Sequence, residues 1–251
     1  MKILLITCSI FLSLTLSAQY SVETVKHTIG ESDFEFPVLN GPDSLVVNRI
    51  NRKLQSVILD HDDKRSEDNI FEELENQYLF EGYTRTNDVT FEVNTLSSKL
   101  FSIQISADFC GAYCEWATMR YVFNLNDGNR IKVQDVFKYE KHQLLLDKFN
   151  ASRKDQIERF LIQFHLENEN KSSQDQERIE ETIWLYNECL NNTDNYLNSY
   201  RFQISGNRIH IYRERCASHI LRASDEVGAY HWDYDINRLK VFMKPQFVAL
   251  L

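Results

Sequence analysis

The chain is poor in the residues that separate domains. Its 251 residues include only three prolines and seven glycines, and no segment is repeated or low in complexity. Linkers between domains are rich in such residues, and a chain of this length can fold around a single hydrophobic core. We therefore expect one domain, which extends from residue 19 to residue 251.

Long hydrophobic runs are missing after residue 18. Residues 1–18 combine Lys2, an apolar run over residues 3–16, and the small pair Ser17 and Ala18. This order is typical of a cleaved secretory signal, and the run is shorter than the roughly 20 apolar residues of a transmembrane helix. The sequence predicts a secreted or periplasmic protein that is not stably inserted in a membrane.

Positive charge is in deficit. The chain has 28 Lys and Arg residues against 37 Asp and Glu residues, a net charge of −9. An acidic surface repels nucleic-acid phosphates and anionic lipids, which argues against a nucleic-acid partner. The densest acidic segment covers residues 60–75. We interpret it as a solvated helix face with the loop before it; the alternative is a docking surface for a cationic partner.

Catalytic motifs are missing as well. The sequence contains no His-Glu-x-x-His, no Gly-x-Ser-x-Gly and no glycine-rich phosphate loop. The remaining candidates are histidines near carboxylates in the sequence, namely His210, His219 and His231 with Glu214, Asp233 and Asp235. Because these histidines are scattered, we expect no catalytic residue, no bound metal and no cofactor. A metal-dependent or other hydrolase built on the histidine group is the rival hypothesis.

Cysteine is scarce, and its number is informative. Once Cys8 is removed with the signal, Cys110, Cys114, Cys189 and Cys216 remain. An even number in an oxidising compartment predicts two disulfides, and the spacing lacks the Cys-x-x-Cys pairs of a zinc site. If residues 111–113 form a hairpin loop, Cys110 faces Cys114, which leaves Cys189 for Cys216. Cys110 with Cys216 stays open, because three-residue hairpins prefer glycine where this chain has Tyr113.

The spacing of apolar residues predicts an α+β fold, an antiparallel β-sheet with packed helices. The predicted strands cover residues 21–29, 34–38, 84–93, 100–109, 116–125, 200–204 and 208–212. Four helices are predicted before the last segment. The first begins after Pro42, the second covers residues 70–78, the third covers residues 142–166 with a break at 150–152, and the fourth follows a capping box of Ser173 and Gln176. A final helix or strand is expected at residues 236–243.

Short segments spread along the chain carry a resemblance. They include Phe36-Pro37-Val38, the helix segment 48–51, strand 100–103, Gly111-Ala112-Tyr113, segment 123–128 and segment 133–137. The match continues through residues 201–212, 217–228 and 236–243, so it covers nearly all of the chain after residue 18. Together these segments resemble an extracytoplasmic domain, the domain of unknown function 3298 (DUF3298) family.

This resemblance implies an exported recognition module. The family occurs as the outer domain of lysozyme-sensing anti-sigma factors and beside polysaccharide deacetylase domains. We expect a stand-alone version here, because the chain shows neither a membrane span nor a deacetylase domain. The family usually has Gly-Gly-Ala-His at the hairpin turn, whereas this chain has Cys110 and Tyr113 at the first and last positions. A role carried by that histidine does not transfer to this chain.

Aromatic residues near two Gly-Ala-Tyr sequences are the candidate binding residues. Tyr113 and Trp116 flank the cysteine turn, and Tyr230 and Trp232 flank the second Gly-Ala-Tyr. Aromatic side chains on a closed turn add contact area at little entropic cost, although aromatics often simply pack in a core.

We expect a non-enzymatic binding module that recognises a protein or a cell-wall glycan. Lysozyme-like cationic proteins are the first partner class to test, because their charge complements an acidic surface. A purely structural role in the cell envelope is the remaining alternative.

Overall fold

The computed structural model describes residues 19–30, 32–59, 85–110, 114–169, 171, 175–216 and 226–251. Within these residues, eight strands form a five-stranded and a three-stranded sheet, and helices pack on them in one α+β domain, as predicted. Several predicted features lie outside the described residues: the signal at residues 1–18, the acidic segment at 60–75, the helix at 70–78, the capping residue Ser173, and the candidate residues Tyr113 and His219.

The five-stranded sheet is built from the first half of the chain. Its strands lie in chain order: β1 Ser21–Ile29, β2 Ser32–Asn40, β3 Arg85–Leu96, β4 Leu100–Cys110 and β5 Cys114–Asn124. All neighbours pair antiparallel except β2 and β3, which are parallel. The predicted antiparallel sheet is therefore confirmed, with one parallel pair inside it. The chain between β2 and β3 includes a helix, and a crossover of that kind is what a parallel pair requires.

That helix, α1 (Ser44–Leu59), covers the inner face of the five-stranded sheet. Val46, Ile50 and Leu54 recur every four residues and are buried against the sheet, since this spacing places them on one face. The Asp43 carboxylate caps the helix by accepting from the backbone N–H groups of Leu45 (3.0 Å) and Val46 (3.1 Å). The sheet thus hides one face under α1.

The three-stranded sheet comes from the second half of the chain. It contains β6 Tyr200–Ser205, β7 Arg208–Arg213 and β8 Tyr230–Asp235, all antiparallel. The β6–β7 hairpin is confirmed, whereas β8 was not predicted. The surrounding helices are α2 Val133–Val136, α3 His142–Asn168, α4 Gln176–Asn191, α5 Ile236–Leu239 and α6 Pro245–Val248, with 3₁₀ turns at Tyr139–Lys141, Leu197–Ser199 and Lys240–Phe242. No helix in the described ranges is long and apolar enough to cross a membrane.

Helix α3 is continuous, so the predicted break at residues 150–152 is wrong. The polar residues that suggested the break bond outward to other parts of the chain. Asn150 exchanges hydrogen bonds with the Asp194 backbone (3.0 and 3.2 Å), and the Ser152 hydroxyl accepts from the Trp232 indole N–H (3.0 Å). Tertiary hydrogen bonds thus use side chains that would otherwise compete with the helix backbone.

The two sheets are joined where β6 meets the end of the five-stranded sheet. The Thr95 hydroxyl donates to the Ile204 carbonyl (2.8 Å), and the Ile204 N–H donates to the Ser102 hydroxyl (3.0 Å). Leu100 and Val122 belong to the hydrophobic core of the second half. This junction covers one end of the outer face of the five-stranded sheet, the face opposite α1. That face lies beside the outer face of the three-stranded sheet, which carries His210 and Tyr212 and is opposite the buried Ile209 and Ile211.

A buried ion network lies inside the second half. The Asp194 carboxylate accepts from Arg153 (3.2 Å), from Arg213 (2.9 and 3.1 Å) and from the Tyr200 hydroxyl (3.1 Å). Arg153 and Asp194 expose only 7% and 8% of their side chains. Burial, together with the neighbouring Asp194 carboxylate, raises the pKa of Tyr200. The network ties α3 to β6 and β7.

The disulfide pairing is the one that the sequence favoured. Cys110 and Cys114 are register partners at the end of the β4–β5 hairpin, and a disulfide joins them. A second disulfide joins Cys189, near the end of α4, to Cys216, after β7. Each half of the molecule therefore carries one disulfide.

Candidate functional site: the outer face of the five-stranded sheet

The outer face of the five-stranded sheet is polar and regular. Three rows cross β3, β4 and β5: Asp88–Asp108–Trp116, Thr90–Ser106–Thr118 and Glu92–Gln104–Arg120. Residues paired across antiparallel strands share a face, and the alternate pair Val89 and Ala107 is buried on the opposite side. The hydroxyls of Ser106 and Thr118 lie 3.2 Å apart, so the middle row is hydrogen-bonded.

Carboxylates dominate this face. Asp33 and Glu35 flank Phe34, which faces the core beside Val89, so alternation places both carboxylates on the outer side with Asp88 and Asp108. Burial, together with the charges of Asp108, Asp33 and Glu35, raises the pKa of Asp88. We call the five carboxylates Asp33, Glu35, Asp88, Glu92 and Asp108 the acidic face.

The acidic face has partial cation and hydrogen-bond compensation. Lys26 on the edge strand β1 forms an ion pair with Glu35, both exposed, and the Thr28 hydroxyl donates to Asp33 (2.8 Å). The side-chain amide of Asn87 donates to Asp108 (3.3 Å). These contacts are at the surface, where ion pairs contribute little to stability. The five carboxylates outnumber the cations Lys26 and Arg120 on this face, so the face keeps a net negative charge.

Trp116 stands beside this face at the disulfide-closed end of the hairpin. It shares a row with Asp88 and Asp108 and leaves 53% of its surface exposed. The Cys110–Cys114 disulfide closes the strand end two residues away. A large indole held on a braced strand can pack on a partner, while the carboxylates beside it can pair with positive charges of that partner. Tyr113, the other predicted residue of this turn, lies outside the described residues.

Tyr230 and Trp232 do not join Trp116. They lie on β8 with only 1% and 8% of their surfaces exposed. The Tyr230 hydroxyl contacts Cys216 Sγ at 3.1 Å, and the Trp232 ring packs on Phe149 at 4.8 Å. The prediction that these two residues form a surface binding group is wrong, because they are core residues of the second half. The alternation of Tyr230, Trp232 and Tyr234 with polar neighbours is the period of a half-buried strand, which was the missed signal.

The histidine group is partly assembled on the outer face of the three-stranded sheet. His210 Nδ1 lies 3.3 Å from His231 Nε2 and 3.6 Å from an Asp233 oxygen, whereas His219 lies outside the described residues. Burial and the nearby His210 lower the pKa of His231. The Arg208 guanidinium binds both Asp233 oxygens (2.7 and 2.8 Å) and lowers the pKa of that carboxyl. Arg208 thus competes with any proton or metal for Asp233.

A column of stacked side chains links the two outer faces. The Arg120 guanidinium lies 3.8 Å from the centre of the Tyr212 ring, which stacks on His231 at 4.7 Å. His231 in turn stacks on His210 at 5.5 Å. Arg120 belongs to the third row of the five-stranded sheet, so the column begins where the acidic face ends. The column gives these histidines a packing role beside the acidic face.

One further group brings potential metal ligands close together. Asp108, Cys110 and Cys114 are the only such cluster in the part of the chain that the structure describes. Metals bind cysteine as the thiolate, and both sulfurs are taken up in a disulfide. In this oxidised form the cluster offers only the Asp108 carboxylate.

Comparison with solved structures identifies the fold. No family profile and no curated protein matches the sequence. A crystal structure of a DUF3298 family member from Bacteroides fragilis aligns with 93% of this chain and 97% of that chain, with a TM-score of 0.52 and 11% identity. A DUF3298 family protein from Pseudomonas aeruginosa aligns with 92% of this chain and 96% of that chain, with a TM-score of 0.50 and 13% identity. The chain has the fold of these structures, and the resemblance predicted from its segments is confirmed at that level.

Proposed function

We propose that the protein is a secreted or periplasmic, non-enzymatic binding module whose acidic face and Trp116 bind a cationic protein, with lysozyme-like proteins as the first partner class. The observation that supports this most is the row Asp88–Asp108–Trp116, which sets an exposed indole beside two carboxylates. Aromatic anchors supply most of the energy of an interface, and complementary charges around them raise the association rate. Two disulfides are compatible with an oxidising compartment.

Titration calorimetry against a basic lysozyme tests this proposal. We expect saturable binding at low salt that weakens as salt is added, because the charges are exposed. The Trp116→Ala variant should lose about thirtyfold in affinity, the smallest effect expected of a hot-spot truncation. The double variant Asp88→Asn/Asp108→Asn should bind more weakly and with less dependence on salt.

Matched controls come from the helices of the second half. Trp184 on α4 exposes 58% of its surface, and Trp184→Ala should leave the affinity unchanged. Asp147 and Asp155 on α3 are exposed carboxylates, and Asp147→Asn/Asp155→Asn should also bind as the wild type does. If no lysozyme binding is seen at low salt, or if controls and test variants lose affinity equally, this partner class is wrong.

A cell-wall glycan is the second candidate ligand, and a different cleft favours it. Tyr139 and Tyr196 are 84% and 70% exposed and line one cleft with Gln134 and Asn195. Aromatic faces pack on the C–H faces of sugars, and amides both donate to and accept from sugar hydroxyls. N-acetylglucosamine oligomers should bind, and Tyr139→Ala and Tyr196→Ala should each remove this binding, while Trp184→Ala should not. Unchanged binding in both tyrosine variants would remove this candidate.

The non-enzymatic part of the proposal rests on the engagement of Asp233 by Arg208. A hydrolase would need the carboxylate or the two imidazoles free to move a proton or hold a metal. Metal analysis of the purified protein tests this, with His210→Ala and His231→Ala as variants. A stoichiometric metal that both variants lose, together with hydrolysis of cell-wall material, would establish the enzyme instead.

A further inference from the structure

A small cationic cleft lies at the edge of β5, between the turn that follows β5 and the start of β6. Its volume is about 230 Å3, and its charged lining consists of Arg120, Arg130, Lys132 and Arg201. Among the described residues that line it, none carries a carboxylate. This concentration of positive charge is unusual in a chain whose net charge is −9.

Neutral groups, rather than carboxylates, hold the three arginines in place. Arg120 lies over the Tyr212 ring at 3.8 Å and Arg130 over the Tyr121 ring at 4.4 Å. Arg201 donates to the backbone carbonyls of Asn198 (2.8 Å) and Tyr200 (3.2 Å). In the described part of the chain, no ion pair includes any of the three. Aromatic rings and carbonyls orient a guanidinium without neutralising it.

One donor on an arginine that lines the cleft has no partner in the ranges that the structure describes. The Nε–H group of Arg120 is buried and has no hydrogen-bond partner among the described residues. Burial, and to a smaller extent the like charge of Arg201, lower the pKa of Arg130, and the opposing effect comes from the Tyr121 hydroxyl rather than from a carboxylate. An anion in the cleft would lower this cost, because its negative charge offsets the repulsion between Arg130 and Arg201 and its oxygens accept hydrogen bonds from the guanidinium groups.

We propose that this cleft binds an oxyanion, the phosphate, sulfate or carboxylate group of a larger ligand. The planar guanidinium donates two parallel hydrogen bonds to such a group, and several arginines can share its oxygens. A volume of about 230 Å3 holds an anionic head group but not a whole polymer, so the rest of the ligand would extend outward.

A neighbouring groove suggests where the ligand extends. Arg130 also lines a groove beside α1, together with Arg49 and Asn48. The Arg49 guanidinium is again held by neutral oxygens, the Asp127 carbonyl (2.6 Å) and the Asn129 side chain (3.3 Å). None of the described residues that line this groove is acidic. A ligand with more than one charged group would therefore run from the cleft along Arg130 toward α1.

Titration calorimetry with two small probes tests the proposal and identifies the head group. Glycerol 3-phosphate and glucuronate are titrated separately at constant ionic strength, with chloride as the competing anion. Three arginines offer more donors than one carboxylate can accept, so we expect the phosphate ester to bind more tightly. Saturable binding of either probe supports the site, and the tighter probe shows which oxyanion it takes.

Variants distinguish binding in the cleft from a general effect of removing positive charge. Arg130→Gln and Arg201→Gln should each weaken probe binding about tenfold, the effect of losing one charged hydrogen bond. Arg238→Gln, an exposed arginine on α5 outside the cleft, should change nothing. If Arg130→Gln does not fold, as judged by circular dichroism, the exposed Arg201→Gln variant still carries the test.

Two results would overturn the proposal: no saturable binding of either probe, or equal weakening by Arg238→Gln and the cleft variants. The double variant Asp88→Asn/Asp108→Asn should bind the probes as the wild type does. Lysozyme binding and oxyanion binding can thus fail independently, so the two sites are judged separately.

Discussion

The interiors under the two sheets differ in where they place charge. Under the five-stranded sheet the core is apolar. The ion pair Lys26–Glu35 of this half lies on the surface of the sheet. Under the three-stranded sheet, Arg153 and Arg213 surround the buried carboxylate of Asp194. The comparison shows that the same domain contains buried, mutually paired charges in one half and exposed charges in the other. The buried charges of the second half hold α3, β6 and β7 together, whereas those of the acidic face are exposed at the surface that we propose for partner binding.

The largest effect on stability is expected when the buried ion network around Asp194 is broken. Asp194→Asn leaves Arg153 and Arg213 without their carboxylate, and removal of one partner from a buried ion pair costs about 3–5 kcal/mol. Urea unfolding should show this loss in the free energy of unfolding. Asp155→Asn, which breaks an exposed pair with Arg159 on α3, should cost less than about 0.5 kcal/mol. Similar costs for both variants would contradict the contrast between buried and exposed charge.

The two disulfides give the next largest effect. The chain-entropy model gives about 3.5 kcal/mol for Cys189–Cys216, which spans 27 residues, and about 2 kcal/mol for Cys110–Cys114, which spans four. Replacing each pair by alanine and comparing thermal unfolding measures both. We expect the second half to depend more on its disulfide. A larger loss from Cys110→Ala/Cys114→Ala would reverse that order.

A comparison of two glycines tests the packing of the turn after β5 on α1, with a smaller expected change in stability. Gly128 has φ +72°, and a Cβ there would lie 3.1 Å from the Val46 carbonyl oxygen, so the turn after β5 approaches α1 closely. Gly206, in the β6–β7 turn, has φ +55° and open space around it. Gly206→Ala should cost about 1 kcal/mol for the positive φ alone, and Gly128→Ala about 2 kcal/mol. Equal losses in chemical denaturation would show that the contact with α1 is unimportant.

The smallest effect on stability concerns Asp88, where we expect the substitution to stabilise the protein rather than destabilise it. Since burial and neighbouring carboxylates raise the pKa of Asp88, its ionisation opposes folding, and this cost appears as the pH rises through the folded-state pKa. Asp88→Asn should therefore stabilise the protein at pH 7, by about 0.5 kcal/mol or less because the group is partly solvated. The gain should vanish below the pKa of an unfolded Asp, near pH 4. A variant that is less stable at pH 7 would contradict the crowding of these carboxylates.

The sequence was sufficient for most of the fold because local patterns determine most of it. Alternation predicted β4 and β5, and the four-residue spacing of α1 predicted its buried face. The even cysteine count predicted two disulfides, and the expected hairpin loop at residues 111–113 favoured the observed pairing. The continuity of α3 could not be predicted, since Asn150 and Ser152 bond to residues more than forty positions away. The parallel β2–β3 pair also depends on long-range packing.

The candidate site was less predictable than the fold. Trp116 is exposed, as a binding residue must be, but Tyr230 and Trp232 could be recognised as core residues only through the strand pattern of β8. The acidic face was not predicted, because its carboxylates come from three strands that are separate in the sequence. Only the strand register brings Asp33, Asp88 and Asp108 onto one face. The same holds for the cationic cleft.

The most direct test of the central claim uses the indole N–H signals of the three tryptophans in an NMR titration with a basic lysozyme. Trp116 lies beside the acidic face, Trp184 is exposed on α4, and Trp232 is buried. We predict that only the Trp116 signal moves and that it returns when salt is added. A Trp116 signal that stays in place at saturation, or a Trp184 signal that moves instead, would contradict the assignment of the acidic face as the binding surface.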